Sequence, residues 1–175
     1  HPVFIGVGLL PWIIYFWETE KWKWFTVSII GLLLTQENMG IALFGLCIIW
    51  FFHKRKKKII LLLAFLSLLW VFIAFRLVSY FSQGGQEYIP QLPAQHYEYI
   101  TRFFDSSEKQ QVFLYSLSWY SFLPLFSLGA VIAVFSDLSQ YFLTGDAFQR
   151  MWSPYTHHRA ILSVFLLLGT VDVLI

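Results

Sequence analysis

The chain has 175 residues, of which 58% are hydrophobic and only 13% are charged. Soluble domains usually carry about 25% charged residues, and 8 Trp, 9 Tyr and 19 Phe are too many for one small core. The composition therefore argues against a soluble domain and predicts an all-α integral membrane protein. The net charge of +2 comes mostly from one short basic run, which indicates contact with anionic lipid headgroups rather than nucleic acid.

The first apolar segment predicts a helix over residues 3–17, which is short for a full membrane span. It is followed by an interfacial loop in which charges and tryptophans alternate, residues 18–24. The chain begins with His1-Pro2 and ends inside an apolar run, so we expect an internal fragment of a longer polypeptide. His1 lies at a helix start and is a candidate for hydrogen bonding to a substrate.

Residues 25–52 are apolar except for a polar break, Thr35-Gln36-Glu37-Asn38. A carboxylate at the bilayer centre costs on the order of several kcal/mol. We therefore predict two short helices, 22–34 and 39–52, with the break at the outer membrane interface. The alternative is one kinked helix with Glu37 facing a polar cavity. Glu37 and Asn38 are candidate substrate-binding residues, or else a helix cap.

The basic run, residues 53–58, separates two long apolar stretches and predicts a cytoplasmic loop. Residues 59–81 after it predict the clearest membrane-spanning helix. Arg76 near its outer end either extends toward the interface or pairs with a carboxylate or an anionic substrate. The single cysteine, Cys47, excludes a disulfide framework and a cysteine-based metal site.

Residues 82–111 form the longest polar stretch and predict an extracytoplasmic loop, with an interfacial helix at 96–104. Asp105 is the predicted N-cap of the following helix. The next apolar stretch contains Pro124, and we predict two helices there, 110–126 and 128–143.

A loop at 144–157 and a last helix at 158–175 complete the chain. The whole forms a single polytopic bundle, residues 1–175, of about five to seven spans or half-spans with no soluble domain. If residues 53–58 are cytoplasmic, the break at Glu37 and the loops 82–111 and 144–157 all lie outside. This membrane topology depends on both predicted helix interruptions, the one in residues 25–52 and the one at Pro124. We expect a multi-pass protein of a prokaryotic plasma membrane.

Motifs of soluble enzymes and cofactor sites are absent from the sequence. The sequence His157-His158-Arg159 begins the last helix and is a candidate for binding a phosphate. The alternative is that these residues only position the helix at the membrane interface. Adjacent histidines on a helix point about 100° apart, so we predict no metal site there. The use of a divalent metal stays open. Asp137 pairs with Arg76, with Arg159 or with polar neighbours.

Several short sequence motifs occur along the chain in the same order as the motifs of one family of membrane proteins. They are His1-Pro2, Leu34-Thr35-Gln36-Glu37-Asn38 before a helix with Gly45-Leu46, Glu108-Lys109, Phe122-Leu123-Pro124-Leu125 and His157-His158-Arg159-Ala160. The chain resembles the predicted integral membrane family called domain of unknown function 2079. That family typically shows Phe-His-Pro, Lys-Glu-Asp, Phe-Leu-Pro-Leu-like and His-Tyr-x-Ala elements. Here Asn38 stands in place of its Asp and Arg159 in place of its Tyr.

The resemblance implies a relationship to the glycosyltransferases of the C superfamily. Those enzymes use a polyprenyl-phosphate-linked sugar donor at the extracytoplasmic face, with an acidic residue in the first external loop as base. That loop would precede His1, so the fragment would lack its catalytic acid. The resemblance then leaves donor-side and scaffold residues here, with Arg76, His157, His158 and Arg159 as cations for the phosphate. The expected partners are the lipid bilayer and the lipid-linked donor.

Two other function classes remain open from the sequence. A transporter or lipid flippase would use Glu37 and Asp137 between broken helices as ion or proton sites. A non-catalytic membrane scaffold would use neither. The sequence upstream of His1 separates the classes, because an acidic residue after a first span favours the transferase.

Overall fold

The computed structural model describes residues 2–52, 56–81, 93–156 and 159–175, without the side chains of residues 146–148. These ranges contain eight α-helices and no strand, which confirms the predicted all-α class. The helices are α1 Pro2–Glu18, α2 Trp22–Thr35, α3 Met39–Phe52, α4 Lys57–Phe81, α5 Glu98–Thr101, α6 Ser107–Ser118, α7 Leu128–Phe142 and α8 Ala160–Leu174. His1, His157, His158, residues 53–55 of the basic run and residues 82–92 of the polar loop lie outside the described residues.

The polar break between α2 and α3 is a true interruption of the helix. Gln36 has an extended backbone, with φ −161° and ψ 152°, and α3 begins three residues later at Met39. Thr35 at the end of α2 bonds back to the Leu32 carbonyl at 2.7 Å. The chain therefore reverses here in a turn of three polar residues, and Asn38 lies at the start of α3.

The region before α7 differs from the predicted helix 110–126. Helix α6 ends at Ser118, and the chain turns through Ser121 and Phe122, both with positive φ. A 3-10 turn, Leu123–Phe126, then contains Pro124, which has no backbone N–H to continue an α-helix. The interfacial helix predicted at 96–104 is a single turn, α5.

The N-cap of α6 is Ser106 rather than the predicted Asp105. The Ser106 hydroxyl accepts a hydrogen bond from the Lys109 backbone N–H at 3.3 Å. The Asp105 carboxylate is engaged instead by the Lys109 side chain at 2.7 Å. Both residue types cap helices well, so the sequence alone did not distinguish them.

Helix α3 lies at the centre of the bundle and packs against α4 and α7 on two sides, with α2 and α8 nearby. Its buried side chains surround the helix, as expected for a core helix. Gly40 permits the approach of α4, because a Cβ there would lie 2.6 Å from the Ser67 carbonyl oxygen. Gly45 likewise faces the buried ring of Phe165 on α8.

Helix α4 is different, since most of its apolar surface is uncovered. It is the one helix, within the described ranges, that is long and apolar enough to cross a membrane, judged by length and composition. Only 17% of its most apolar stretch is buried. The other long helices, α1, α2, α3, α7 and α8, are apolar but have at most 17 residues. An exposed apolar face of this size is typical of a surface that contacts lipid or further protein.

Candidate functional site

A buried cluster of polar side chains lies at the end of the bundle where α7 ends and α3 and α8 begin. Asn38 precedes α3, Asp137 and Tyr141 lie on α7, and Arg159 precedes α8. Asn38, Asp137 and Arg159 are 6%, 0% and 7% exposed. We call these four residues the polar cluster.

Direct hydrogen bonds join part of the polar cluster. The Asn38 Nδ2 donates to the Tyr141 hydroxyl at 2.9 Å, which joins residues far apart in the chain. Asp137 Oδ1 accepts from Gln140 Nε2 at 3.0 Å. Arg159 donates from Nη2 to the Met151 carbonyl. The Arg159 guanidinium carbon also lies 5.3 Å from the centre of the Tyr141 ring, within range of a cation–π contact.

The polar cluster also contains atoms that find no hydrogen-bond partner in the described part of the chain. They are Asp137 Oδ2, Asn38 Oδ1, Arg159 Nε and Nη1, and the neighbouring Gln36 Oε1. The charges of Asp137 and Arg159 are close enough to interact, yet no hydrogen bond joins them directly. Buried polar groups are almost always hydrogen-bonded. The polar cluster is therefore unusual in holding several unbonded polar atoms away from solvent.

The polar cluster rests on a helix end whose backbone is completely satisfied. The last carbonyls of an α-helix lack partners within the helix. At the end of α7, four consecutive carbonyl oxygens each accept a hydrogen bond from a side chain. The Gln140 carbonyl accepts from Thr144 Oγ1 at 3.0 Å, and the Tyr141 carbonyl accepts from Trp152 Nε1 at 3.0 Å. The Phe142 carbonyl accepts from Lys109 Nζ at 3.2 Å, and the Leu143 carbonyl accepts from Arg102 Nη1 at 3.4 Å. Two of the donors are cations, which the negative end of a helix favours.

Lys109 is the centre of this cap, although it is only 1% exposed. Its Nζ bonds Asp105 Oδ1 at 2.7 Å, the Arg102 carbonyl at 2.8 Å and the Phe142 carbonyl. The same ammonium lies 3.9 Å from the centre of the Trp152 ring. All three ammonium donors are therefore used, and α6 is fixed to the end of α7.

The structure brings together some of the predicted site residues and separates others. Asn38 and Arg159 both contact Tyr141. Glu37 is half-buried nearby, and its carboxylate is close enough to interact electrostatically with Tyr141. Arg76 is exposed on α4, where its guanidinium carbon lies 5.2 Å from the Phe72 ring centre. The positions of His1, His157 and His158 lie outside the described residues.

Three members of the site were not among the predicted site residues. Asp137 was predicted to pair with a cation or polar neighbours and, in a transporter, to serve as an ion or proton site, while Tyr141 and Lys109 carried no predicted role. A signal for the first two was their spacing of four residues, which puts a carboxyl and a phenol on one face of an apolar helix. The signal for Lys109 was its spacing of four from Asp105.

An open apolar groove of about 640 Å³ lies between α3, α4 and α7. It extends from Phe52 and Ile60 at one end of the bundle to Phe103 and Leu143 at the other. Its α7 wall includes Ile132, Phe135 and Ser139. At about 100° per residue these lie roughly 160–220° around the helix from Asp137. Ser136, which also lines the groove, lies about 100° from Asp137, so the groove and the polar cluster lie on different and mostly opposite faces of α7.

Within the described ranges, no group of three or more His, Cys, Asp or Glu side chains is arranged to hold a metal ion. Comparisons with protein-family models, with curated proteins and with solved structures give no match for this chain. The groove, the polar cluster and the exposed apolar surface are the features of the described structure that bear on its function.

Proposed function

We propose that the chain is a bundle embedded in a bilayer, with α4 as a complete span and the shorter apolar helices beside it. The uncovered apolar surface of α4 supports this, because water solvates such a surface poorly. Lysines mark one end of the bundle: Lys56 Nζ bonds Glu20 Oε1 at 2.5 Å and lies 4.3 Å from the Trp22 ring centre. This aromatic and basic end is the proposed cytoplasmic side.

The proposed threading predicts which residues a membrane-impermeant maleimide reaches in intact cells. We expect no labelling of Lys57→Cys and clear labelling of Ser107→Cys, each in full-length protein with Cys47→Ser. Both native side chains are exposed at opposite ends of the bundle. Permeabilised cells provide the control, because both variants should then react. Labelling of Lys57→Cys in intact cells would contradict the threading.

Within that membrane protein we infer glycosyl transfer from a polyprenyl-phosphate-linked donor at the extracytoplasmic face, in a prokaryotic plasma membrane. The apolar groove carries this proposal, because a lipid-linked donor needs a groove for its chain that opens toward the bilayer. The groove ends near Leu143, at the same end of the bundle as the polar cluster. The reacting head of such a donor would thus lie at the extracytoplasmic rim.

The residues of this chain would bind and orient the donor rather than transfer the proton. By the resemblance, an acidic residue of the first external loop would act as the catalytic base, and none of the residues named here would take that role. Arg76, on the exposed side of α4, is available to a phosphate at the membrane surface. Arg159 is buried beside Asp137 and less suited to that task.

Filling the groove should weaken use of the lipid-linked donor. We expect Ala64→Trp, which places an indole in the groove, to raise the KM for the donor by about tenfold, or about 1.4 kcal/mol. Transfer is measured with the full-length protein in liposomes, using radiolabelled polyprenyl-phosphate sugars. Leu62→Trp, on the exposed face of the same helix, is the matched control and should leave KM unchanged. An unchanged KM in Ala64→Trp would exclude this groove as the donor site.

Asp137 favours a second candidate function, a transporter or flippase. An ionisable group buried between membrane helices often belongs to an ion or proton path. This alternative predicts that Asp137→Asn abolishes uptake driven by a pH gradient in liposomes. Sugar transfer in the absence of any gradient would argue against it.

A further inference from the structure

We propose that the apolar groove between α3, α4 and α7 binds an anionic phospholipid from the leaflet at the basic end of the bundle. Its acyl chain would lie in the groove and its phosphate beside Lys57, at the mouth of the groove. The inference rests on the membrane embedding proposed above and on no transfer reaction. In the proposed transferase, this phospholipid and the chain of the donor would exclude each other.

The groove has the size of a ligand site and the length of one leaflet's chain. Its volume of about 640 Å³ lies within the roughly 300–1,000 Å³ of typical small-molecule sites. Along α7 its lining extends from Ile132 to Leu143, which is about 16 Å at 1.5 Å per residue. Half of a hydrocarbon layer of about 30 Å has a similar depth. The lining side chains are apolar except for the hydroxyls of Ser136 and Ser139, which suits an acyl chain.

Lys57 places an ammonium at one mouth of this groove. It precedes the α4 lining residues Ile60, Leu61 and Ala64 by three, four and seven positions, so it lies on the face of α4 that lines the groove. Its Nζ is 5.0 Å from the ring centre of Phe51, which also lines the groove. The Lys57 side chain is exposed, and no carboxylate in the described part of the chain forms an ion pair with it. This cation is therefore available to a headgroup.

The charges at this end of the bundle favour an anion. The cations in its two turns outnumber the acids, even with residues 53–55 left aside; those three are His, Lys and Arg in sequence and add no carboxylate. Of the acids here, Glu20 pairs with Lys56, and Asp172 accepts a hydrogen bond from Ser127 Oγ at 2.6 Å. The remaining acid is Glu18. The described cations are Lys21, Lys23, Lys56, Lys57 and Lys58.

At the opposite mouth, the cations next to the lining residues Phe103 and Leu143 are already engaged. The Arg102 guanidinium pairs with a carboxylate at 2.7 Å and donates to the Leu143 carbonyl. Lys109 Nζ bonds a carboxylate and two carbonyls. Arg76 is exposed, but it lies about 18 Å along α4 beyond the last α4 side chain that lines the groove. An anionic headgroup is therefore better matched at the basic mouth.

Two other roles for Lys57 leave its alignment with the groove unexplained. A signal for membrane orientation requires a basic loop, but it does not require a lysine on the groove face of α4. Helix stability disfavours the lysine, because the N-terminus of a helix carries partial positive charge, and the first turn of α4 contains no acidic residue. A phosphate beside Lys57 would interact favourably with both positive charges.

Native mass spectrometry of the full-length protein in detergent tests the proposal with two added lipids, dioleoyl phosphatidylglycerol and dioleoyl phosphatidylcholine. We expect one phosphatidylglycerol to bind at about tenfold lower concentration than phosphatidylcholine. Lys57→Gln should weaken phosphatidylglycerol binding by about fivefold, the effect of one lysine near an anionic headgroup, and leave phosphatidylcholine binding unchanged. Lys57→Arg, which keeps the charge, should bind phosphatidylglycerol as the wild type does.

The groove itself is tested with Ala64→Trp, which should weaken the binding of both lipids by about tenfold. Leu62→Trp, on the exposed face of α4, is its matched control and should bind normally. The control for Lys57→Gln is Lys23→Gln, which removes an exposed lysine of α2 that does not line the groove. Unfolding temperatures of the variants show whether lost binding reflects lost structure.

Three results would overturn the proposal. They are equal binding of the two lipids by the wild type, unchanged phosphatidylglycerol binding in Lys57→Gln or in a folded Ala64→Trp, and equal losses in Lys57→Gln and Lys23→Gln. The last result would indicate attraction to a diffuse basic surface. A preference for phosphatidylglycerol without any sugar transfer would contradict the proposed transferase and leave this inference intact. Sugar transfer with a raised donor KM in Ala64→Trp, but without a lipid preference, would do the reverse.

Discussion

Replacing Lys109 with methionine should lower the free energy of unfolding by about 2–4 kcal/mol. The change keeps the side-chain volume but leaves the buried carbonyls of Arg102 and Phe142 without their donor. Each unsatisfied buried acceptor costs about 1–3 kcal/mol. The ammonium also holds α6 against the end of α7, so the effect should extend over both helices. Denaturant unfolding in mild detergent, followed by Trp fluorescence, measures it.

The matched control is Lys23→Met, which removes an exposed lysine near the start of α2. Surface changes of this kind usually alter stability by less than about 0.5 kcal/mol. Equal stability losses in the two variants would mean that Lys109 is not buried in the native protein.

A second large effect is expected at Gly40 of α3, which lies close to a backbone oxygen of α4. The Cβ of Gly40→Ala would lie 2.6 Å from the Ser67 carbonyl oxygen, so the helices must separate. Forcing an extra carbon into a packed core costs about 1–3 kcal/mol. We expect a loss of that size in the same unfolding assay.

Gly8→Ala provides the contrast for the same chemical change. Gly8 lies on an exposed face of α1, and nothing lies within 4 Å of its added Cβ. Alanine is the better helix former by about 1 kcal/mol, so this variant should be as stable as the wild type or more so. A stabilising Gly40→Ala would show that α3 and α4 are not in contact as described.

The sequence predicted the all-α class because its long apolar segments lack the alternation of apolar and polar residues that is typical of β-strands. It also placed the polar break at residues 35–38, since a carboxylate there is costly inside an apolar helix. Pro124 marked the second interruption, but the left-handed residues Ser121 and Phe122 before it have no sequence signature. Serine and phenylalanine rarely adopt positive φ, and tertiary packing selects it here.

The candidate site was harder to predict because its contacts join distant parts of the chain. Asn38 and Tyr141 are 103 residues apart in sequence, and no local spacing indicates their hydrogen bond. Lys109 lies in a polar stretch that resembles a solvated surface, and lysine is seldom buried without a partner. Its burial depends on two carbonyls and a carboxylate that only the folded chain brings together.

The shortness of α2 and α3 has a consequence for the surrounding lipid. Each has 14 residues, about 21 Å at 1.5 Å per residue, against a hydrocarbon thickness of about 30 Å. Helix α4, with 25 residues, is about 37 Å long and would have to tilt to fit the same layer if it spans the bilayer as proposed. Because α3 is enclosed by its neighbours, the mismatch in the proposed bundle acts on the lipid that contacts α2 and would thin the bilayer beside that helix. Lipid headgroups beside α2 would descend toward Asn38, which shortens the path from the membrane surface to the buried carboxyl and guanidinium.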